Sequence, residues 1–185
     1  METSIIISGF GGQGTLFAGQ LLTYAALDCG KHCTWIPSYG PEMRGGTAHC
    51  TVIISEEEIG SPIVRNPDVV LAMNLPSLDK YEPLIKAGGV MIANQSLINR
   101  EIERNDITTL FIPGNDIAEG LGSSRTTNMV MAGAMLELTS VLPLDAVKNA
   151  LDQHIPARNR KYLELNYEAM EVGAKFAREN IKLTA

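Results

Sequence analysis

The stretch Gly9-Phe10-Gly11-Gly12-Gln13-Gly14 decides the fold, because it joins an apolar run to a helical pattern. Before it, residues 4–8 read Ser-Ile-Ile-Ile-Ser, which is typical of a buried strand in a parallel sheet. After it, apolar residues from Thr15 to about Asp28 recur at helical spacing, and Gly30 predicts the end of the helix. The chain therefore opens with a strand, a glycine turn (residues 9–14) and a helix.

The glycine turn matches the pattern G-x-G-x-x-G in the context that this pattern requires, with a strand before it and a helix after it. The first glycine permits a tight turn, the second lets the backbone approach a ligand, and the third allows helix and strand to pack closely. The free amides of the first helical turn attract a diphosphate. We therefore predict a ligand site formed by Gly9, Phe10, Gly11, Gly12, Gln13, Gly14 and Thr15. A plain strand-to-helix turn is the alternative.

One part of a dinucleotide site is missing from the sequence. Such a site expects Asp or Glu about twenty residues beyond the glycines, at the end of the second strand, to bind the ribose. The second predicted strand, residues 33–36, is followed by Pro37-Ser38-Tyr39 instead. Asp28 comes too early in the helix, and Glu42 lies inside the following loop. The sequence therefore argues against an ordinary NAD site.

A second candidate segment is the loop predicted for residues 37–46, whose two prolines and three glycines exclude a regular element. It leaves the carboxyl end of the second strand, where ligands lie in open parallel sheets. We predict that Ser38, Tyr39, Arg44 and Gly45 contact the ligand. The guanidinium of Arg44 suits a phosphate or carboxylate, and Tyr39 offers a ring for stacking. The alternative is an arginine on an ordinary surface turn.

The rest of the chain extends the same architecture. Further strands are predicted at 47–54, 68–72, 89–93 and 107–112, with helical or turn segments between them. Helices are predicted at 127–142, 144–153 and 159–180, with Pro143 and Pro156 at the breaks. We predict an α/β fold: a Rossmann-like, mostly parallel sheet flanked by helices, with a helical C-terminal third packed on the same domain. Residues 1–185 are expected to form that single domain.

The last predicted helix carries two apolar stripes about 200° apart around its axis. One stripe comprises Leu163, Tyr167, Met170, Ala174, Ala177 and Ile181, and the other comprises Leu165, Ala169, Val172 and Phe176. A helix that is apolar on two sides is either enclosed within its own domain or shared with a neighbouring chain. The sequence leaves both possibilities open.

Composition and charge restrict the function. A net charge of −6 argues against nucleic-acid binding, which needs many Lys and Arg side chains. No run approaches the roughly twenty apolar residues of a membrane span. Cys29, Cys33 and Cys50 are odd in number and lack the spacing of iron–sulfur or zinc ligands, so we predict no metal site and expect core thiols. With no export leader before the first strand, a cytoplasmic protein is expected.

The chain shows no self-sufficient catalytic set. His32, His49 and His154 do not share a helical face, and no nucleophile elbow, HExxH pair or Walker lysine is present. No catalytic residue is therefore predicted. Asn128, at the start of a predicted helix, is either a helix cap or a ligand contact, and we include it in the candidate binding site.

Taken together, these motifs resemble the gamma subunit of the 2-oxoacid:ferredoxin oxidoreductases, a family that includes the 2-oxoglutarate and branched-chain 2-oxoacid enzymes. The resemblance spans nearly the whole chain. It rests on the glycine turn, on residues 38–47, on Asn128-Met129 at the start of a helix, and on Asn166, Ala169 and Gly173 in the last helix.

The resemblance implies an enzyme complex that oxidatively decarboxylates a 2-oxoacid to acyl-CoA, CO2 and reduced ferredoxin. In such a complex, thiamine diphosphate and iron–sulfur clusters belong to other subunits. This chain would support assembly with alpha and beta subunits, and with a delta subunit where one exists, and would contact coenzyme A. It would not be active alone, and a homodimer is conceivable when it is isolated.

Two other functions remain open from the residues alone. One is a stand-alone NAD-type oxidoreductase, suggested by the glycine pattern. The other is a purely structural subunit whose glycine turn binds nothing.

Overall fold

The computed structural model describes residues 2–39 and 47–181, and its strands follow the apolar runs of the sequence. The strands are β1 (Glu2–Phe10), β2 (His32–Tyr39), β3 (Thr47–Ser55), β4 (Val69–Ala72), β5 (Val90–Asn94) and β6 (Thr108–Ile112). The helices are α1 (Thr15–Asp28), α2 (Leu75–Tyr81), α3 (Gly114–Gly120), α4 (Thr127–Thr139), α5 (Leu144–His154) and α6 (Leu163–Asn180). Short 3-10 helices cover Glu82–Leu84, Ser124–Thr126 and Ala157–Tyr162.

The described strands form one sheet in the order β2-β3-β1-β4-β5-β6. Strands β1, β4, β5 and β6 pair in parallel, whereas β3 pairs antiparallel with both β1 and β2. Within this sheet only β3 runs against the others, so the predicted α/β fold with a mostly parallel sheet is confirmed. The antiparallel strand arises because β2 and β3 follow each other across a short connection, which an antiparallel pair permits.

Strand β2 continues further than the sequence predicted. The segment Pro37-Ser38-Tyr39 was predicted as loop, and this was wrong: these residues pair with β3, with Pro37 opposite Cys50. Strand β2 lies at the edge of the sheet, and proline is tolerated there because half of the backbone N–H positions face away from any neighbouring strand. Strand β2 therefore includes the first three residues of the segment that was predicted as loop.

The two faces of the sheet are covered unequally. Alternating strand residues such as Ile5, Ile7 and Leu71 belong to a large core cluster with α1, α3, α4, α5 and α6. Their neighbours Ile6 and Val70 belong to a smaller cluster with α2 and the residues around Ile98. This alternation puts helices on both faces, as the period of two along a buried strand requires.

The C-terminal third packs on the larger cluster, as predicted, although the element ends differ from the sequence pattern. Helix α4 ends at Thr139, because Ser140 adopts a left-handed conformation with φ of 49°. The predicted helix 159–180 begins only at Leu163, and a 3-10 helix precedes it. There the amide of Asn159 bonds to the carbonyl of Pro156 at 2.8 Å, which is 3-10 rather than α-helical spacing.

Helices α4 and α6 touch through their backbones. A Cβ atom added to Gly173 would lie 1.9 Å from the carbonyl oxygen of Val130, and one added to Gly133 would lie 2.0 Å from that of Met170. Both apolar stripes of α6 contribute to the packing within the chain. Met170 of the first stripe and Ala169 of the second are fully buried. Leu163, Tyr167 and Phe176 pack partly buried against the core. The structure therefore favours a helix enclosed within its own chain.

Candidate ligand-binding site

The glycine turn connects the carboxyl end of β1 to the start of α1 in a conformation that needs glycine. Gly12 and Gly14 have φ values of 97° and 74°, where side chains other than hydrogen are strained. Gly11 and Gly12 are exposed, and a Cβ on Gly12 would meet no atom within 4 Å. Gly9 is the opposite case, since its Cβ would lie 2.8 Å from Met73. The turn thus presents open backbone on its outer side and packs tightly on its inner side.

Gln13 fixes the shape of the turn. Its side-chain oxygen accepts a hydrogen bond from the amide of Phe10 at 2.6 Å, and its side-chain nitrogen faces the carbonyl of Met73 at 3.4 Å. The side chain of Asn74 reaches the same Gln13 oxygen at 3.4 Å. Gln13 therefore links the glycine turn to the residues that follow β4. These hydrogen bonds orient the backbone that a ligand would meet.

The first turn of α1 offers unpaired donors. Its N-cap residue is Gly14, no side chain caps it, and its first turn contains no acidic residue. The leading amides of an α-helix have no acceptor within the helix, and the helix dipole places partial positive charge there. This arrangement suits an anion, and a phosphate group in particular.

Asn128, which was predicted to be either a helix cap or a ligand contact, lies against this turn. Its side-chain nitrogen donates to the carbonyl of Gly14 at 3.1 Å, and only 4% of the residue is exposed. Its side-chain oxygen is buried and has no hydrogen-bond partner within the described residues. Thr15, beside it, is also buried. Asn128 therefore positions the start of α1, and its free oxygen can accept a further hydrogen bond.

The second predicted segment meets the glycine turn through the sheet. Thr47, the first residue of β3, is opposite Phe10, and Ala48 is opposite both Gly9 and Tyr39. Both ends of the connecting loop therefore lie beside the glycine turn, with Ser38 half-buried next to them. Arg44 and Gly45 lie outside the described residues. Their predicted contact with a ligand stays a prediction, as does stacking by Tyr39.

The strand order of the sheet differs from that of a dinucleotide-binding fold at the place where an acidic residue would bind the ribose. In the dinucleotide-binding order, the second strand is the direct neighbour of the first. Here β3 separates β2 from β1. The end of β2 is thus one strand further from the glycine turn, and no acid stands at its last positions.

Two asparagines at the same edge of the sheet were missed in the sequence. Asn74 follows β4 and caps α2 through the amide of Ser77 at 3.0 Å. Asn94 ends β5, is fully buried, and bonds to the carbonyl of Met73 and the amide of Gly114, both at 3.1 Å. The signal that could have found them is a polar residue directly after a buried strand, since these strand ends share one edge.

The cysteines and histidines occupy separate places. Cys50 is buried, as expected, and burial raises the pKa of its thiol to about 12. Cys33 is half-buried and Cys29 is exposed, so the expectation of a core thiol fails for Cys29. His154 stacks on Tyr24 with a centroid distance of 4.2 Å. Burial and the charge of Lys80 lower the pKa of His49.

In the part of the chain that the structure describes, no helix is long and apolar enough to span a membrane.

Fold and site together define an α/β protein in which a strand, a glycine turn and a helix follow one another, an arrangement that binds phosphate groups in other proteins. The chain belongs to the pyruvate ferredoxin/flavodoxin oxidoreductase family, whose model matches residues 4–176. The resemblance drawn from the motifs is thereby confirmed.

Two relatives illustrate the range of the family. The chain is 38% identical over 182 residues to ketoisovalerate oxidoreductase subunit VorA of Methanothermobacter thermautotrophicus, covering 98% of this chain and 38% of that subunit. It therefore spans about two fifths of the length of that relative. It is 35% identical over 189 residues to 2-oxoglutarate synthase subunit KorC of Methanothermobacter marburgensis, covering 98% of this chain and 100% of that subunit.

Solved structures share the fold over nearly the whole chain. The gamma subunit of a keto/oxoacid ferredoxin oxidoreductase from Geobacter sulfurreducens superposes with a TM-score of 0.87 at 30% identity, covering 98% of this chain and 99% of that one. The 2-oxoglutarate:ferredoxin oxidoreductase of Magnetococcus marinus, solved with 2-oxoglutarate, coenzyme A and succinyl-CoA bound, has the same TM-score at 24% identity. It covers 97% of this chain and 31% of that one, and it shows the fold alone.

Proposed function

We propose that this chain is the gamma subunit of a 2-oxoacid:ferredoxin oxidoreductase complex, in which it contacts coenzyme A and supports assembly. The complex would decarboxylate 2-oxoglutarate or 2-oxoisovalerate oxidatively to acyl-CoA, CO2 and reduced ferredoxin. Other subunits of the complex would carry the thiamine diphosphate and the iron–sulfur clusters. The relatives named for ketoisovalerate and for 2-oxoglutarate support this range of substrates.

The uncapped start of α1 is the observation on which the coenzyme A contact rests. The exposed backbone of Gly11 and Gly12 leaves room for a diphosphate in front of these amides. No side chain would have to move at Gly12, where the space around the Cβ position is open. The bound coenzyme A in a neighbour of the same fold supports the choice of ligand.

Coenzyme A also fits better than NAD. Its adenosine carries a phosphate on the ribose, so an acid that binds a free ribose hydroxyl pair is not needed. The end of β2 holds Pro37, Ser38 and Tyr39 rather than Asp or Glu. The absence of that acid disfavours NAD and does not disfavour coenzyme A.

The chain's own part in turnover is binding and orientation. The α1 amides would hold the diphosphate, Gln13 would keep the turn in shape, and Asn128 would hold the start of α1 in place. Coenzyme A, when bound, supplies the thiol that accepts the acyl group.

The test compares Gly12→Asp with Gly12→Asn in the complex purified with its partner subunits. Both residues tolerate the backbone conformation of Gly12 better than other side chains do, and they differ by one negative charge. We expect the Asp variant to bind coenzyme A about tenfold more weakly than the Asn variant, equivalent to about 1.4 kcal/mol. Titration calorimetry measures both affinities, and the difference should shrink at high salt.

Four results would overturn the proposal. Equal affinities of the two variants would favour a purely structural subunit. Micromolar affinity for NAD would favour the stand-alone oxidoreductase. Decarboxylation of a 2-oxoacid by the purified chain alone, or failure to co-purify with alpha and beta subunits, would contradict the role as an accessory subunit. A panel of 2-oxoacids assayed on the complex identifies the substrate.

A further inference from the structure

A groove runs away from the glycine turn along the exposed side of α1. It consists of two adjoining cavities of about 230 and 370 Å³, which share Phe17, Ile155 and Asn159. The first cavity is also lined by Arg125, Tyr162 and Asn166, and the second by Tyr24, His154 and Arg158. We refer to the two cavities together as the α1 groove.

The α1 groove is continuous with the candidate ligand site. Phe17 belongs to the first turn of α1, and its side chain is 37% exposed in the groove. Arg125 lies in the 3-10 turn directly before α4, three residues from Asn128. Asn128 in turn bonds to Gly14, the N-cap of α1. A ligand whose diphosphate meets the α1 amides therefore has the groove within one helical turn of it.

The charges around the groove are unusual for this chain. Most Lys and Arg side chains pair with carboxylates, as Arg178 does with Glu137 at 2.8 Å. Arg125 and Arg158, one in each cavity, form no ion pair with the residues that the structure describes. Neither cavity is lined by Asp or Glu, although the chain carries a net charge of −6. Unpaired guanidinium groups beside a concave site suit a phosphate.

The other lining groups suit a flat heterocycle. Phe17 and Tyr162 place two rings on the same cavity. Asn166 donates its side-chain nitrogen to the carbonyl of Tyr162 at 2.9 Å, which leaves its side-chain oxygen available to accept from an exocyclic amino group. Asparagine with neighbouring aromatic rings is a common way for proteins to hold adenine.

We propose that the α1 groove holds the phosphorylated adenosine end of coenzyme A, with Arg125 paired to the phosphate on the ribose and the adenine between Phe17 and Tyr162. This inference rests on the proposed function and adds the specificity-determining residue for that phosphate. The charge pattern favours a phosphorylated nucleotide over an apolar protein segment, since a dry interface would leave the guanidinium groups unpaired.

The experiment compares coenzyme A with 3′-dephospho-coenzyme A, which lacks only the phosphate on the ribose. Both are titrated against the assembled complex carrying the original chain, Arg125→Gln or Arg65→Gln. Arg65 is the matched control, because it is an exposed arginine without an ion pair that lines neither cavity. We expect Arg125→Gln to weaken coenzyme A about tenfold and to leave dephospho-coenzyme A unchanged, while Arg65→Gln changes neither.

The possible results separate this inference from the proposed function. If coenzyme A binds the unaltered complex but Arg125→Gln affects both ligands equally, or neither, the subsite is refuted and the coenzyme A contact stands. If the unaltered complex binds no coenzyme A, both fail. Loss of the partner subunits from Arg125→Gln or Tyr162→Leu, with the affinity for coenzyme A retained, would identify the groove as a subunit interface and overturn the inference.

Discussion

At the scale of single residues, Gly12 and Gly14 share a positive φ but differ in the space around them. A Cβ on Gly14 would lie 2.5 Å from the side-chain nitrogen of Asn128, whereas a Cβ on Gly12 would meet nothing within 4 Å. We expect Gly12→Ala to reduce the free energy of unfolding by about 1 kcal/mol through backbone strain alone. Gly14→Ala should cost about 3 kcal/mol, because overpacking adds to the strain.

Urea denaturation of the two variants measures the difference. Gly14→Ala combined with Asn128→Ala should recover part of the loss, since the second substitution removes the clashing amide. Equal destabilisation by Gly12→Ala and Gly14→Ala would show that Asn128 does not press on the turn.

The buried thiol of Cys50 predicts that the stability of the protein depends on pH. Burial raises the pKa of its thiol to about 12, well above the value of about 8.5 for a thiol in an unfolded chain. The neutral thiol is thus favoured by folding, so its contribution to stability is complete below about pH 8.5 and is lost as the pH rises from there towards 12. In native protein at pH 8, iodoacetamide should label exposed Cys29 first and Cys50 only after unfolding.

Mass spectrometry of the alkylated peptides follows both cysteines in one sample. A Cys50→Ala variant should lose less stability than the original chain between pH 8.5 and 10, and this comparison controls for other groups that titrate there. Labelling of Cys50 at the rate of Cys29 in the native state would contradict the burial.

The residue scale also shows what a sequence can and cannot predict about the site. Gly12, Gln13 and Gly14 could be assigned because a short motif places them between one strand and one helix. The hydrogen bond from Asn128 to Gly14 spans 114 residues, and the contact between Gln13 and Met73 spans 60. Such contacts depend on how distant elements meet in the fold, so the motif gave candidates and the structure gave their partners.

At the scale of elements, the crossing of α4 and α6 depends on two glycines that face the other helix. A methyl group on Gly173 would lie 1.9 Å from the backbone oxygen of Val130, and neither atom can move aside without separating the helices. We expect Gly173→Ala and Gly133→Ala each to lower the free energy of unfolding by about 3 kcal/mol or more. Thermal and urea denaturation measure the loss.

Gly120→Ala is the matched control for these variants. Gly120 ends α3, is exposed, and would meet no atom within 4 Å if it carried a Cβ. The gain in helix propensity should leave that variant as stable as the original chain, or more stable by up to about 1 kcal/mol. Similar stabilities of Gly173→Ala and Gly120→Ala would show that the two helices do not meet at the backbone.

Elements were predictable where one local signal dominated. Helix α1 begins at Thr15 and ends at Asp28, as the apolar spacing and Gly30 predicted. The direction of β3 was missed because a strand pattern is the same whichever way the strand runs; the signal that could have given it is the short connection between β2 and β3, which only an antiparallel pair permits. The start of α6 was missed for a similar reason: apolar spacing does not separate the 3-10 segment Ala157–Tyr162 from the α-helix that follows.

At the scale of the whole molecule, the unequal covering of the sheet divides the chain into parts of different stability. The larger cluster joins five helices to one face, whereas the opposite face is covered by the seven-residue helix α2 and by the segment around Ile98. That segment is also held by polar contacts. Buried Glu82 pairs with Arg100 at 2.7 Å and accepts from the amide of Arg104 at 3.1 Å. Less apolar surface is buried there, so less free energy opposes local opening.

We therefore expect the amides of α2 to exchange hydrogen at least about tenfold faster than those of α4, a difference of about 1.4 kcal/mol in opening free energy. Native-state hydrogen exchange with mass spectrometry resolves the two helices in one experiment. Gly173→Ala, which disturbs only the larger cluster, should lower the protection of α4 and leave that of α2 unchanged, because α2 already opens without global unfolding. If α2 and α4 instead exchange with one common free energy, and Gly173→Ala lowers both, the two faces unfold as one unit and the division is wrong.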